Sequence, residues 1–324
     1  MRSSFLNRIV PAFTLVVALT SLPAAASPYT SMVVFGDSLS DSGNVALVPP
    51  ALGGGSTTQT ITGNTYVPNH PYDVGTFSGT FSNGPVWATT AANALTGVPL
   101  TPSLAGGTNY AFGGATSAGL VQQAGVYFAM NSASPTALYV VAGGGNDARA
   151  VLQGADLATT ITSYVQNISL IVSQLETGGA KHIIVWDTPN VGLAPAVAAQ
   201  GGTAVGTTIA TLMNQALFAA MANFTDVSIF DIFGLGTSIF QDPGKFGLTN
   251  VTDACGAIAA ADCSKYEYWD GIHPTTAAHT IIADAFIAQA VPELSTWAML
   301  ILGFGGVGFM AYRRRQNGSA LAAA

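Results

Sequence analysis

Residues 33–44 read Val33-Val34-Phe35-Gly36-Asp37-Ser38-Leu39-Ser40-Asp41-Ser42-Gly43-Asn44. This stretch begins as an apolar strand, breaks at Gly36 and places Ser38 just beyond the carboxyl end of the strand. Open α/β sheets bind their ligands at that edge. Ser38 could therefore be a nucleophile, or it could cap a following helix, because Ser and Asp are both preferred capping residues.

The rest of the chain alternates short β-rich apolar runs with longer helical stretches, a pattern typical of parallel strands joined by crossover helices. It predicts strands at Met32–Phe35, Leu138–Ala142, His182–Trp186 and Val227–Phe230, with a weaker one at Asn109–Phe112. It predicts helices at Pro85–Ala94, Asp156–Glu176, Thr203–Met221 and Pro274–Ala290. Residues 45–83, rich in Gly, Pro, Asn and Thr, are expected to cross the strand ends as a long loop that shapes a substrate site.

A second candidate segment reads Trp269-Asp270-Gly271-Ile272-His273-Pro274. A serine hydroxyl is a weak nucleophile until a base accepts its proton, and the base needs a partner that fixes its tautomer. His273 and Asp270 could supply these two functions. In the alternative interpretation, Asp270 caps the next helix and His273 is an ordinary exposed side chain.

Two glycine-rich segments carry candidate donors for a negatively charged oxygen. Gly143-Gly144-Gly145-Asn146-Asp147 follows a predicted strand, and the amide of Asn146 could donate to an oxyanion. Ala111-Phe112-Gly113-Gly114-Ala115-Thr116 could offer a backbone N–H to the same oxygen. Each segment alone is also explained as a tight turn, because glycine permits backbone conformations that other residues avoid.

Taken together and in this order, the four segments resemble the sequence blocks of the GDSL lipase/esterase, or SGNH hydrolase, family. The resemblance spans residues 31 to about 287, and Phe81-Ser82-Asn83-Gly84 before Trp87 also looks like the family. It implies a three-layer α/β/α, flavodoxin-like fold with a mostly parallel central sheet of about five strands.

The resemblance also implies roles for single residues. Ser38, Asp270 and His273 would form the catalytic triad, and the Ser38 and Gly113 amides with the Asn146 side chain would form the oxyanion hole. Gly114 is the alternative to Gly113. No metal or organic cofactor is expected, because His273 would supply the activation that a metal would otherwise give.

The two ends of the chain look like targeting segments. Residues 1–26 combine Arg2 and Arg8, an apolar run and Ala24-Ala25-Ala26, as secretory signal peptides do. Residues 291–324 contain Val291-Pro292-Glu293, an apolar stretch and Arg313-Arg314-Arg315, and they resemble the PEP-CTERM sorting tail of Gram-negative bacteria, with Leu294 at a usual proline position. An ordinary membrane anchor is the alternative for this tail.

These ends predict the domain order and the location. An esterase domain at residues 27–290 would stand between a signal peptide and a sorting tail. The protein would be exported to the periplasm, the cell surface or the medium. Before a sorting peptidase cuts it, the tail would hold it in the inner membrane.

Charge and cysteine content restrict the partners and the compartment. Four of the nine Lys and Arg but fifteen of the sixteen Asp and Glu lie between the two ends, which gives 4 − 15 = −11 and argues against a nucleic-acid partner. Cys255 and Cys263 lie close together in a polar stretch of an exported chain, which predicts a local disulfide. Two free thiols are the alternative, and a metal site lacks further ligands nearby.

The sequence therefore predicts an exported serine esterase or lipase. Its ester substrate could be a lipid, an acylated sugar or a small ester. The alternatives are an acyltransferase or a polysaccharide O-deacetylase that uses the same triad, and a non-catalytic matrix or adhesion protein on the same fold.

Overall fold

The computed structural model describes residues 28–74, 77–291, 303–310 and 312–313. Within them the strands are β1 (Met32–Gly36), β2 (Tyr72–Val74), β3 (Phe77–Thr80), β4 (Leu138–Ala142), β5 (His182–Trp186), β6 (Val227–Phe230), β7 (Asn250–Ala254) and β8 (Tyr266–Tyr268). The main helices are α1 (Asn44–Leu47), α2 (Trp87–Thr96), α3 (Ser117–Met130), α4 (Gly145–Leu152), α5 (Leu157–Thr177), α6 (Pro195–Ala198), α7 (Thr203–Met221), α8 (Ile232–Gln241) and α9 (Thr276–Ala290).

The central sheet has four parallel strands in the order β1, β4, β5, β6. Continuous apolar runs such as Leu138–Ala142 are buried on both faces, as strands inside an α/β layer must be. The expected fifth strand, Asn109–Phe112, is wrong. This segment runs beside β1, and its Tyr110 and Phe112 amides donate to the Val34 and Gly36 carbonyls at 2.8 and 3.0 Å. Its pairing with β1 is not regular enough to make a strand, and the chain turns away at the following glycines.

Helices cover both faces of the sheet, which confirms the predicted three-layer α/β/α fold. On one face, α3, α5 and α7 bury a core with Tyr139, Ile168 and Met213 at its centre. On the other face, α2 and α9 pack against each other, and Trp87 and Phe286 stack with rings 4.7 Å apart. Each face of the sheet therefore has its own apolar core.

Most of the predicted elements lie where the pattern placed them. Three strands and helix α7 match in both bounds, and β1 ends one residue later than predicted. Helix α9 begins at Thr276 rather than Pro274, because Thr275 caps it by accepting from the Ala278 amide. Helices α3, α4 and α8 and the short α6 were not predicted.

The long segment at residues 45–83 contains more structure than expected. It carries most of α1 and the antiparallel pair β2 and β3, and its apolar residues Ile61, Val67 and Tyr72 bury against Ala254 and Trp269. Cys255 and Cys263 form a disulfide bond, with their Cα atoms 5.6 Å apart. Segment 45–83 and the strand pair β7 and β8 therefore form one unit beside the strand ends.

The two predicted targeting segments fall largely outside the described residues. Of the tail, residues 303–310 are helical and expose large apolar side chains, among them Phe304, Val307, Phe309 and Met310. Among the described residues, only Thr203–Met221 is long and apolar enough to cross a membrane. That helix is α7, and Ile209, Met213 and Leu217 hold it in the core.

Candidate active site

Ser38 lies in a turn at the carboxyl end of β1, and two aspartates shape that turn. The Leu39 amide donates to Oδ1 of Asp37 at 3.0 Å, and Oδ1 of Asp41 accepts from the amides of Gly43 and Asn44. Asp41 therefore caps the α1 segment. Capping does not require the Ser38 side chain, which leaves its hydroxyl free for another partner.

That partner is His273, which the turn between β8 and α9 brings to the same edge of the sheet. Its Nε2 lies 2.9 Å from the Ser38 Oγ, and its Nδ1 lies 2.7 Å from Oδ2 of Asp270. Oδ1 of Asp270 accepts from the backbone amides of Ile272 and His273 at 2.8 and 2.7 Å. The carboxylate thus both closes the turn and orients the imidazole ring. The alternative, in which Asp270 caps the next helix and His273 is exposed, is wrong, because Thr275 caps α9 and His273 is buried.

Sequence reasoning missed Tyr72, which also holds this carboxylate. The Tyr72 hydroxyl donates to Oδ2 of Asp270 at 2.7 Å and accepts from the Val67 amide at 3.1 Å. Burial and the neighbouring Asp270 charge raise the pKa of Tyr72, so the phenol stays a donor. Asp270 is fully buried and therefore depends on such donors.

Asn146 lies at the start of α4, where the left-handed Gly144, with φ 105°, turns the chain into the helix. The Asn146 Nδ2 donates to the Ala115 carbonyl at 2.9 Å, and its Oδ1 accepts from Arg149 at 3.0 Å. Because Arg149 occupies the oxygen, the orientation of the amide is fixed. The second Nδ2 hydrogen has no protein partner among the described residues.

The Gly113 amide, which the family resemblance favours for the oxyanion hole, is bonded to an aspartate instead. Gly113 donates its N–H to Oδ2 of Asp41 at 3.0 Å. Its neighbour Gly114, with φ 79°, borders the same cavity as Ser38. Of the two glycines that the sequence left as alternatives, Gly113 therefore has its N–H bonded to Asp41, whereas Gly114 lies at the cavity beside Ser38.

Two cavities of different character meet at Ser38. One, of about 110 Å³, has a largely apolar wall: Leu39, Pro189, Val191, Ile232, Ile239 and Ile282. The other, of about 430 Å³, has mostly polar side chains around it: Tyr66, Asn69, Thr116, Asn146, Arg149 and Gln153. A molecule whose reactive atom lies at Ser38 can therefore place an apolar part on one side and a polar part on the other.

Burial shifts several carboxyl groups near this edge of the sheet. It raises the pKa of Asp37 and of Asp41 to about 6, of Asp187 to about 7 and of Glu267 to about 8. Backbone N–H groups that donate to the three aspartates oppose the shift without cancelling it. No cluster of three or more His, Cys, Asp or Glu side chains in the described residues could hold a metal ion.

The fold and this cluster define an α/β protein whose candidate site lies at the carboxyl edge of a parallel sheet. Comparison with known families gives the class: the chain belongs to the GDSL-like lipase/acylhydrolase family, whose model matches residues 32–286.

Individual relatives resemble the chain over most of its length. Esterase EstA of Pseudomonas aeruginosa is 27% identical over 333 residues, covering 86% of this chain and 49% of that protein. The phosphatidylcholine-sterol acyltransferase of Aeromonas hydrophila is 23% identical over 335 residues, covering 83% of this chain and 92% of that protein. The chain thus spans about half the length of the Pseudomonas esterase.

Among solved structures, a member of the lipolytic G-D-S-L family from Veillonella parvula aligns with a TM-score of 0.46 at 14% identity. The alignment covers 79% of this chain and 96% of that one.

The raised carboxyl pKa values predict how stability depends on pH. Above about pH 6.5 the unfolded chain has already lost its carboxyl protons, whereas folded Glu267 and Asp187 still hold theirs. The folded state then binds more protons, so the free energy of unfolding should fall by roughly 2 kcal/mol between pH 6.5 and 8.5. Burial lowers the pKa of His279 to about 3. This group makes the free energy of unfolding rise with pH, but only below the ordinary histidine pKa. Urea unfolding at three pH values measures this free energy, and Glu267→Gln should make it depend less on pH. Stability that rises across the interval would contradict the prediction.

Proposed function

We propose that this chain is an exported serine hydrolase that cleaves carboxylic esters through Ser38, His273 and Asp270. The observation that carries the proposal is the unbroken chain of hydrogen bonds from the Ser38 Oγ through both ring nitrogens of His273 to Oδ2 of Asp270. Family membership and the similarity to esterase EstA support the same chemistry. A merely structural serine would not need an imidazole whose tautomer a carboxylate fixes.

The mechanism follows from these contacts. Ser38 Oγ attacks the ester carbonyl carbon while Nε2 of His273 accepts the hydroxyl proton, which gives a tetrahedral intermediate and an imidazolium stabilised by Asp270. The imidazolium returns the proton to the alkoxide leaving group as the carbon–oxygen bond breaks, and an alcohol departs. A water molecule then attacks the acyl carbon while His273 accepts its proton, and His273 returns that proton to the Ser38 Oγ as the acyl–oxygen bond breaks and the acid leaves.

The oxyanion of the intermediate would bind to three donors: the Ser38 amide, the remaining Nδ2 hydrogen of Asn146 and one glycine amide. Gly114 is the better candidate for the glycine, because the Gly113 N–H already donates to Asp41. Arg149 supports this role of Asn146, since it holds the side-chain oxygen and so directs the nitrogen. Donors fixed before the reaction stabilise the developing charge without having to reorganise.

A second candidate function is acyl transfer, which the similarity to the Aeromonas acyltransferase favours. The steps are the same until the acyl-enzyme, where an alcohol replaces water. The polar cavity of about 430 Å³ beside Ser38 could hold such an acceptor. Product analysis with glycerol or a sugar present separates the two functions, because transfer gives a new ester and hydrolysis gives only the acid.

We further propose the domain order that the sequence suggests: a signal peptide at residues 1–26, an esterase domain at 27–290 and a sorting tail at 291–324. The α/β domain supports this division, because its last helix, α9, ends at Ala290 and the Tyr29 hydroxyl donates to the Ala290 carbonyl at 2.6 Å. The exposed apolar side chains of residues 303–310 suit contact with a membrane. A sorting peptidase would then release the domain.

Replacing the nucleophile tests the proposed activity. Ser38→Ala should lower kcat for ester hydrolysis by more than about a thousandfold and should abolish labelling by a fluorophosphonate, because no hydroxyl remains to attack. Ser40→Ala is the matched control, since Ser40 lies in the same turn but accepts a hydrogen bond from Trp87. Normal turnover in Ser38→Ala would rule out Ser38 as the nucleophile.

Removing the Tyr72 hydroxyl tests its support of Asp270. A hydrogen bond to a charged group contributes about 1.5–3 kcal/mol, so Tyr72→Phe should lower kcat roughly tenfold to a hundredfold with little change in KM. Tyr29→Phe, which removes another buried tyrosine hydroxyl bonded to the Ala290 carbonyl, should leave kcat unchanged. Equal effects of the two variants would mean that Tyr72 acts only on stability.

Truncation tests the domain order. A chain that ends at Ala290 should fold, remain soluble and hydrolyse esters at the rate of the mature protein, because the described core lies before that residue. The full chain should instead fractionate with membranes until it is processed. Loss of folding or activity in the truncated chain would show that the tail belongs to the domain.

A further inference from the structure

The polar cavity beside Ser38 has a charge pattern that the proposed mechanism does not explain. Residues 27–290 contain fifteen acidic and four basic residues. Yet the described residues that line this cavity of about 430 Å³ include no Asp or Glu, and Arg149 is the one Lys or Arg among them. A neighbouring cavity of about 220 Å³, which shares Arg149 and Tyr66 with it, also has no acidic residue in its described wall. In an acidic domain, the polar side of the site is therefore positively charged.

Arg149 has no ion-pair partner in the part of the chain that the structure describes. The two ion pairs found there are formed by Lys181 and by His273. The Asp37 carboxyl is influenced by the Arg149 charge only from beyond ion-pair distance, and it borders the apolar cavity instead of the polar one. A partly buried charge without a counter-ion is unfavourable. A negatively charged ligand would supply the missing partner.

The guanidinium group is held in place and still has donors to offer. Its Nη1 donates to the Asn146 Oδ1 at 3.0 Å, its Nη2 donates to the Tyr66 hydroxyl, and it lies over the Tyr66 ring at 4.7 Å from the ring centroid. A guanidinium has five N–H donors, so these two bonds leave three without an acceptor among the described residues. N–H groups fixed in one plane match the oxygens of a carboxylate or phosphate. Because Asn146 and Tyr66 already order the side chain, it loses little freedom when such a group binds.

We propose that Arg149 binds a negatively charged group of the ester substrate, a carboxylate or a phosphate, in the polar cavity while Ser38 attacks the ester bond. This inference rests on the proposed ester hydrolysis and adds the class of substrate, an anionic ester. Arg149 is then a specificity residue as well as the residue that orients the Asn146 side chain. Such a substrate needs a local cation, because the net negative charge of the domain repels it at longer range.

The test compares pairs of esters that differ in one charged group. The pair 3-carboxyphenyl and 3-carbamoylphenyl butanoate places the group on the alcohol part, and the pair ethyl hydrogen succinate and ethyl succinamate places it on the acyl part. A third pair, 1-butanoylglycerol 3-phosphate and 1-butanoylglycerol, tests a phosphate. In at least one pair, the charged ester should have a kcat/KM about tenfold or more above that of its neutral partner, the size expected for a hydrogen bond to a charged group. The pair that shows the preference identifies the part of the ester and the kind of anion that Arg149 binds.

Three variants locate the cause. Arg149→Gln removes the charge and should abolish the preference, mainly by raising KM for the charged ester, because a contact away from the reacting bond is made equally before and during the reaction. Its weaker support of Asn146 should lower kcat for both members of a pair alike, so the ratio within a pair separates binding from positioning. Arg149→Lys keeps the charge without the planar group and should retain part of the preference. Lys181→Gln is the matched control, since it removes the same charge from the surface pair with Asp226 and should leave every ratio unchanged.

Failure of the inference is distinct from failure of the proposed function. If no ester is hydrolysed and Ser38 resists the fluorophosphonate, the proposed function is wrong. If the esters are hydrolysed but no pair favours its charged member, the triad stands and the anion site falls. The same holds if the ratio is unchanged in Arg149→Gln or if Lys181→Gln lowers it equally. The wild-type ratios keep the test valid even if Arg149→Gln fails to fold.

Discussion

The burial of Asp270 is the constraint on which the site depends. A carboxylate without solvent is unfavourable unless hydrogen bonds replace the water it has lost. Two backbone amides of its own turn, the His273 ring and the Tyr72 hydroxyl provide those bonds. The donors come from the β8–α9 turn and from segment 45–83, so both must be in place before the group is satisfied. The same contacts that stabilise the buried charge therefore assemble the site.

The parallel sheet supplies the other half of the geometry. Strands β1 and β4 end side by side, because Gly36 pairs with Ala142, and this places Ser38 and the turn that carries Asn146 at one edge. Asp41 then ties the turn after β1 to Gly113, so the turn that carries Ser38 and the glycine segment hold each other. Rigid strands fix where the backbone ends, and buried polar contacts fix where the side chains point.

The same contrast between strand ends and buried polar contacts explains which parts of this structure the sequence predicts. The four strands of the central sheet were found nearly residue by residue, because strands covered on both faces leave continuous apolar runs such as Leu138–Ala142. The short strands β2, β3, β7 and β8, which lie outside that sheet, were not predicted. Helix α3 was missed, since its buried positions include Ser117 and Gln123, which weaken the apolar period. Tyr72 and the direction of the Gly113 amide were beyond prediction, because each depends on a contact with a residue far away in the chain.

The carboxyl groups near this edge of the sheet differ in how many hydrogen-bond donors they receive. Asp270 receives them from the Ile272 and His273 amides, the His273 ring and the Tyr72 hydroxyl. Glu267 lies in an apolar wall with Tyr268 beside it, and burial there raises its pKa to about 8. Because the number of donors depends on local packing rather than on the residue itself, a change in the packing around β8 would alter the pKa of Glu267 without touching the contacts among Ser38, His273 and Asp270.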